Sequence, residues 1–311
     1  MTKPVAGRLR WFQFSLRSFL AVLILLSIGL IAVVVPAERQ RQAVEELQAA
    51  GATVAYEYAY GSGYRSIKAI VPPGPSWQRR KYSIHYFVDV RAVWDFHGEL
   101  SALRRLADLP QLEVLILDGK SLSDAELRHL RGLSQLKILE INHSPIDGSG
   151  LDLANLRHLE ELSLFQTSLN DAGAQRLEGL DQLCSLDISG TKITDQALVS
   201  LSRLKRLQSL DLSNTALSDA GLPRLAETPR LEVLCLANTQ VTDAGLVWLT
   251  SLSNLRVLDL RGTKVTSDGV SLLEAKMPRL QELYQFGFAA GPQSIREMKR
   301  SRPTLRVAPH R

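Results

Sequence analysis

Four carboxylates, Glu140, Asp187, Asp211 and Asp259, fall at near-multiples of 24 residues along the chain. If they converge, they could do acid–base work, hold a metal ion or receive a basic segment. Convergence at that spacing requires a backbone that itself repeats. The other reactive types do not gather. The six histidines (His85, His97, His129, His143, His158 and His310) are scattered, and His129 and His158 read as solvated positions on convex helices. The chain has no Gly-rich phosphate loop, no GxSxG elbow and no HExxH pair. Cys184 and Cys235 lack metal-ligand spacing and are too few for a disulfide framework. The expectation is therefore no catalytic residue, no metal site, no cofactor and no enzyme.

The elements that would position the carboxylates show in the leucines. Leu115, Leu139, Leu162, Leu186, Leu210, Leu234, Leu258 and Leu283 recur at steps of 23 to 25 residues. Each unit has one grammar. "LQSLDLSNT" (Leu207 to Thr215) alternates leucine with polar residues, which predicts a short strand. "LSDAGLPRL" (Leu217 to Leu225) then sets Leu222 and Leu225 on one face of a helical turn. Ser218 occupies a helix N-cap slot with Asp219 at the positive end of the dipole, and Asn170, Thr194 and Thr242 hold the same slot. One strand and one helix cannot bury their own leucines, whereas stacked copies bury one another and form a parallel sheet. Strands pack more closely than helices, so the array should curve with its strands inside. Cys184 and Cys235 then sit two strands apart, about 10 Å, beyond the span of a disulfide.

The pattern resembles the leucine-rich repeat family. "LEVLILDGKSLSDAELRHL", "LCSLDISGTKITDQAL", "LQSLDLSNTALSDAGL", "LEVLCLANTQVTDAGL" and "LRVLDLRGTKVTSDGV" carry the likeness, from about Leu103 to the C-terminus. The T-x-[VIL]-[TSN]-D-A-G-L signature is similar to the repeats of about 24 residues in bacterial and F-box-type proteins. The resemblance implies an α/β leucine-rich-repeat solenoid over 103–293: a curved parallel sheet with short convex helices. Ser294 to Val307 resembles a closing helix and strand, within a cap at 294–311. Family members often place asparagine at the turn after the strand. Here Lys120, Ser144, Thr167, Thr191, Thr215, Thr239 and Thr263 stand there. A threonine hydroxyl can also bond turn backbone, so this ladder reads as structural and not as nucleophiles. The second unit, "SPIDGSGLDLANL", is one residue short and carries Pro145; a distorted turn is expected.

Function then has the concave strand face. The central outward row reads Ile116, Glu140, Ser163, Asp187, Asp211, Cys235, Asp259 and Tyr284. The next row includes Phe165, Arg261 and Phe286. An acidic column with Phe165 and Phe286 as exposed aromatics beside it has two readings. One is a solvated sheet face. The other is a docking surface for a basic or mixed protein segment, anchored by the aromatics.

The run from Phe19 to Val35, "FLAVLILLSIGLIAVVV", has no charge between Arg17 and Glu38. It approaches the ~20 residues that cross a bilayer core. Val-Pro-Ala, ending at Ala37, loosely fits a signal-peptide cleavage site. The run exceeds the usual 7–15 residue signal core, and Pro36 is awkward before a cut, so an uncleaved anchor is expected. The organisation is a basic N-terminus (1–17), a transmembrane helix (18–37) and a juxtamembrane helix with an N-terminal cap (38–102). Lys3, Arg8, Arg10 and Arg17 precede the apolar run, which places the N-terminus in the cytoplasm and the repeats outside it. The net charge is +5, with no basic stripe interleaved with aromatics, so nucleic acid is not an expected partner. The reading is a membrane-anchored, non-enzymatic protein that binds a protein or cell-envelope ligand. The alternatives are a structural envelope protein without a defined partner, or an F-box-like ubiquitin-ligase substrate adaptor. The latter is disfavoured because no F-box-like segment precedes the repeats.

Overall fold

A computed structural model describes residues 16–56, 89–94, 100–118, 122–153, 155–284 and 306–307. Helix α1 (Leu16–Ala49) leads into strand β1 (Thr53–Tyr56) and then β2 (Val90–Trp94). A 3-10 helix (Leu100–Asp108) follows, then β3 (Val114–Asp118), a second 3-10 helix (Glu126–Leu130) and β4 (Ile138–Asn142). From there strands and short helices alternate: β5 (Glu161–Ser163), α2 (Asp171–Gln175), β6 (Ser185–Asp187), α3 (Ala197–Leu201), β7 (Ser209–Asp211) and α4 (Leu222–Leu225). They continue as β8 (Val233–Cys235), α5 (Asp243–Leu249), β9 (Val257–Asp259), α6 (Ser267–Lys276), β10 (Glu282–Tyr284) and β11 (Arg306–Val307). The strands form one sheet in chain order, and every pairing from β2 onward is parallel; β1 alone pairs antiparallel, with β2.

Leucine register fixes this sheet. Leu115, Leu139, Leu162, Leu186, Leu210, Leu234, Leu258 and Leu283 are strand-to-strand partners, and each is at most 2 % exposed. They join helix-side leucines such as Leu198, Leu222 and Leu246 in one continuous core. The second half of α1 closes the core's N-terminal end with Ala43, Val44 and Leu47. Glu46 of α1 pairs with Arg105 of the adjacent 3-10 helix, which holds its carboxyl below the usual range. The first strands also bury their other face: Ala55, Ala92, Val114 and Ile138 form a small second cluster.

Two ladders recur along the array, one closing each unit's turn and one tying each unit to its neighbour. At the strand ends, Thr167, Thr191, Thr215, Thr239 and Thr263 each donate their hydroxyl to the carbonyl three residues earlier, at 2.6–2.8 Å. The residue just before each threonine sits in the left-handed region: Gln166, Gly190, Asn214, Asn238 and Gly262 have φ between +51° and +68°. The second ladder explains the recurring [ST]-D-A-G. Asp219 accepts from the Thr242 backbone N at 2.8 Å and from its Oγ1 at 2.6 Å. Asp195 receives Ser218 in the same way, Asp171 receives Thr194, and Asp243 receives Thr266. The glycine completes the clasp. A Cβ on Gly245 would stand 2.2 Å from Asp219 Oδ1, so only hydrogen fits beneath the neighbour's carboxylate.

The short second unit differs. Among the described residues, no helix joins β4 to β5. Gly148 turns with φ +92°, and Asp124 accepts three backbone N–H groups, from Asp147, Gly148 and Gly150. Ser144 bonds Asn142 O in place of the usual threonine contact. His158 therefore lies in a turn and not on a helix, while His129 lies in a 3-10 helix.

Some expectations need correction. Asn170 and Thr242 are helix N-caps, accepting from Gly173 N and Ala244 N. Ser218 and Thr194 are not, because α4 and α3 begin only at Leu222 and Ala197. Their hydroxyls serve the clasp and the turn before the helix. Among the described residues, no helix is long and apolar enough to cross a membrane. The Phe19–Val35 run lies in α1, but most of its side chains fall outside the described residues. His85, His97, Lys120, Phe286, His310 and most of the closing segment also fall outside them.

Replacing Leu210 by Asp puts an unpaired charge into a core shared by three units, and chemical denaturation should show loss of several units together. A variant that melts like the parent would refute the register. In the clasp, Gly245→Ala should destabilise by about 1–3 kcal/mol. The loss should shrink in an Asp219→Ala background, because the obstructing carboxylate is gone. A double-mutant cycle measures that coupling.

Candidate functional site on the concave face

The parallel register sets Ile116, Glu140, Ser163, Asp187, Asp211, Cys235, Asp259 and Tyr284 side by side, each the direct partner of the next. Neighbouring strands lie about 4.8 Å apart, so residues separated by 24 positions in sequence become close neighbours in space.

Part of this row opens into a depression of about 300 Å³ over β4, β5 and β6, lined by Glu140, Asn142, Glu161, Ser163, Phe165 and Asp187, among others. Asn142 Oδ1 braces its floor by accepting from Ser163 Oγ at 2.8 Å and from Phe165 N at 3.1 Å. Asp187 Oδ1 accepts from Ser189 N at 2.9 Å and from its Oγ at 2.6 Å. That leaves a carboxylate with a fixed orientation. Phe165 is not the fully exposed aromatic that its outward slot implied. It is half-buried, its ring edge-on to His143 with centroids 5.1 Å apart. Glu161 and Asn142 were missed as site residues by the sequence reading. Glu161 occupies the first outward slot of β5, ahead of Ser163 and Phe165 in the second and third. The signal was an acid, matched only by Glu282, in a row that otherwise holds Val114, Ile138, Ser185, Ser209, Val233 and Val257.

The acidic column does not run through to Asp259. That residue is buried, and its carboxylate is gripped by Arg261, whose Nε lies 2.9 Å from both oxygens. Arg261 also stacks over Tyr284, 5.6 Å from the ring centroid. Tyr284 donates its hydroxyl to Glu282 at 2.8 Å. Arg261, which stays exposed, and Tyr284, half-buried, thus form a local knot with Asp259 and Glu282 on this face, and Phe286 lies outside the described residues. Between the two ends stands Asp211, half-buried, with its acidity weakened first by desolvation and further by Asp187 and Asp259. Burial beside these acids pushes the Cys235 thiol up to about 12, so it is a neutral, unreactive side chain. Both cysteines are free. Among the described residues, no group of three or more His, Cys, Asp or Glu could hold a metal ion. What remains is a braced, carboxylate-lined hollow beside an aromatic ring. Such a hollow can bind cations attached to an apolar stem.

Residues 229–270 match the family model for leucine-rich repeats, two copies. An internalin C2 from Listeria monocytogenes strain 4b F2365 superposes with a TM-score of 0.50 at 25% identity, covering 64% of this chain and 77% of that one. The fold is a leucine-rich-repeat solenoid. A second internalin of the same organism, inlF, gives a TM-score of 0.46 at 19% identity, covering 67% of this chain and 71% of that one. A leucine-rich-repeat protein of Leptospira interrogans gives 0.42 at 22% identity, with 58% and 50% covered. No curated protein matches the chain. Leucine-rich-repeat proteins generally mediate protein–protein interaction and are typically non-enzymatic.

Asp211 generates a stability prediction. Its folded pKa stands above the unfolded value, so the native state holds the proton more tightly. The stability linked to this group is present below the unfolded carboxylate pKa, about 3.9. It is lost as pH rises through the folded value. At neutral pH the ionised group works against the fold. Asp211→Asn, which keeps an acceptor for Ser213 N, should raise the thermal midpoint at pH 7. The gain should fade as the pH approaches 3. A gain independent of pH would show that desolvation of the charge is not its source.

Proposed function

We propose that this chain is a non-enzymatic, membrane-anchored binding protein whose concave leucine-rich-repeat face takes a protein or cell-envelope ligand. In this reading the Phe19–Val35 segment spans the bilayer, with the N-terminus cytoplasmic and the repeats extracytoplasmic. The carrying observation is the hollow over β4 to β6. The leucines face the shared core, while Glu140, Glu161 and Asp187 line the other side of the same strands. A basic or mixed segment suits it: cationic heads against the carboxylates, and an apolar part against Phe165.

The membrane half of the reading draws on the sequence. An apolar run without charge leads directly into a helix segment whose next residues close the repeat core. A C-terminal tag on the full chain, probed by protease in intact cells, tests this. An accessible, membrane-bound tag agrees with the proposal. A protected tag reverses the orientation, and a released product makes the apolar run a signal peptide.

For the hollow, Glu140→Lys combined with Asp187→Lys should abolish capture of the native ligand and leave the melting midpoint within a few degrees. Photocrosslinking from position 163 of the full chain reads this directly. A discrete crosslinked species should form with the parent and vanish in the double variant. An unchanged species would move the binding surface elsewhere.

A further inference from the structure

The geometry points to a second role for α1: it holds one edge of the solenoid, the edge where the parallel strands begin, against an anionic lipid surface. This rests on the anchored reading above.

The path of α1 supplies the first argument. The chain reverses abruptly after α1, with Gly51 at φ +85° and Ala52 N donating to Leu47 O at 2.9 Å. Thr53 then pairs with Trp94, the last residue of β2. The final turn of α1 therefore sits where the parallel strands end. Leu47, Val44 and Ala43 pack on the core beside the 3-10 helix Leu100–Asp108, and the buried stripe continues back along α1 through Gln40 to Ala37. From Leu47 to Ala37 the helix covers about 15 Å, and a five-residue strand covers about 17 Å. Ala37 thus stands at the edge where the strands begin, and Val35 lies about 3 Å further along the axis. Ile24, Ile28, Val33 and Val35, on the portion leading away, are exposed. No linker separates the apolar run from the core.

Charge supplies the second argument. The strand-start edge is made of the turns that lead into each strand. It displays Arg157, Lys205, Arg206, Arg230, Arg256 and Arg279, all exposed. Some of these heads are held in place: Lys205 donates to Glu227 O at 3.0 Å, and Arg279 to Asn254 Oδ1 at 2.7 Å. The edge is mixed: Asp108, Glu113, Glu160, Glu178, Asp181, Glu227 and Glu232 share it, and Glu232 pairs with Arg256 at 3.5 Å. With Arg131, Lys137, Arg203 and Lys276, however, the Lys and Arg outnumber these acids. The opposite edge, where the helices begin, carries the clasp aspartates Asp124, Asp171, Asp195, Asp219 and Asp243. Cations near an anionic headgroup plane are attracted within about a Debye length, and carboxylates are repelled. The helix path and the charge distribution are independent, and both select the same edge. The array then lies along the bilayer, with its concave hollow opening parallel to the membrane.

The test uses the full chain in vesicles of phosphatidylcholine with phosphatidylserine, in a Cys184→Ser, Cys235→Ser background. A bimane label is placed at Ser253→Cys on the strand-start edge or at Ala220→Cys on the opposite edge; both positions are exposed. A headgroup spin-labelled lipid then quenches labels near the surface. The expected result is quenching several-fold stronger at position 253 than at position 220. The difference should fall in phosphatidylcholine alone and in a Lys205→Glu, Arg206→Glu, Arg230→Glu variant, with circular dichroism unchanged. Equal quenching at both positions in a chain that stays with the vesicles through a carbonate wash overturns this inference alone. A chain that washes off overturns the anchored reading and this inference together.

Discussion

No unit of this chain can bury its own leucines, and the rest of the structure follows from that. A three-residue strand with one helical turn has one apolar side and nothing to set against it. Stacking supplies the missing surface, and Leu186, Leu210 and Leu234 become mutually buried partners. Once those three are in register, their neighbours must follow, because slipping by one residue would turn every leucine outward. The same register that buries the leucines lines up Glu140, Asp187 and Asp211 on the other face. The candidate site is thus a by-product of core packing.

Hydrophobic stacking alone would not hold the convex side at a fixed spacing. The aspartate clasp does that. Each unit offers a carboxylate to the backbone and hydroxyl of the next, and the glycine that follows leaves room for the carboxylate of the unit before. Such bonds to a charged acceptor are stronger than neutral ones, and here they repeat along the array. Where the sequence breaks the grammar, in the unit after β4, three backbone N–H groups crowd onto Asp124 and the helix is lost. The hollow at Glu140 and Phe165 lies over this irregular stretch. Its brace, Asn142, and the ring beside it, His143, belong to the strand end that leads into the shortened turn.

A repeating scaffold also separates charge by position. The strand-end edge must carry the clasp acids. The strand-start edge has no such demand and mixes both signs, with Lys and Arg in excess. Along the concave row, burial grades the carboxylates. Asp187 is braced by serine, Asp211 is desolvated, and Asp259 is neutralised by Arg261. A row of like residues therefore holds groups of quite different chemistry.

The sequence by itself determined the repeat, its period, the buried leucines and the parallel sheet, because a strict period admits one way of burying them. It also determined which residues share the concave row, since alternation along a strand is obligatory. The turn threonines were legible as backbone partners for the same local reason. What only the tertiary structure decided depends on which side chains meet, within a unit and between units. The carboxylate that Asp259 presents is closed by Arg261, two residues away, whose side chain folds back along the strand. The hydroxyls of Ser218 and Thr194 turn toward the preceding unit's aspartate and do not cap a helix. Phe165 lies edge-on to His143, 22 residues earlier, and Glu161 enters the hollow because β5 stands beside β4 and β6. Periodicity places a residue on a face. Which of its neighbours satisfies or shields it is set by side chains at the variable positions of its own and adjoining units, and those vary independently of the repeat.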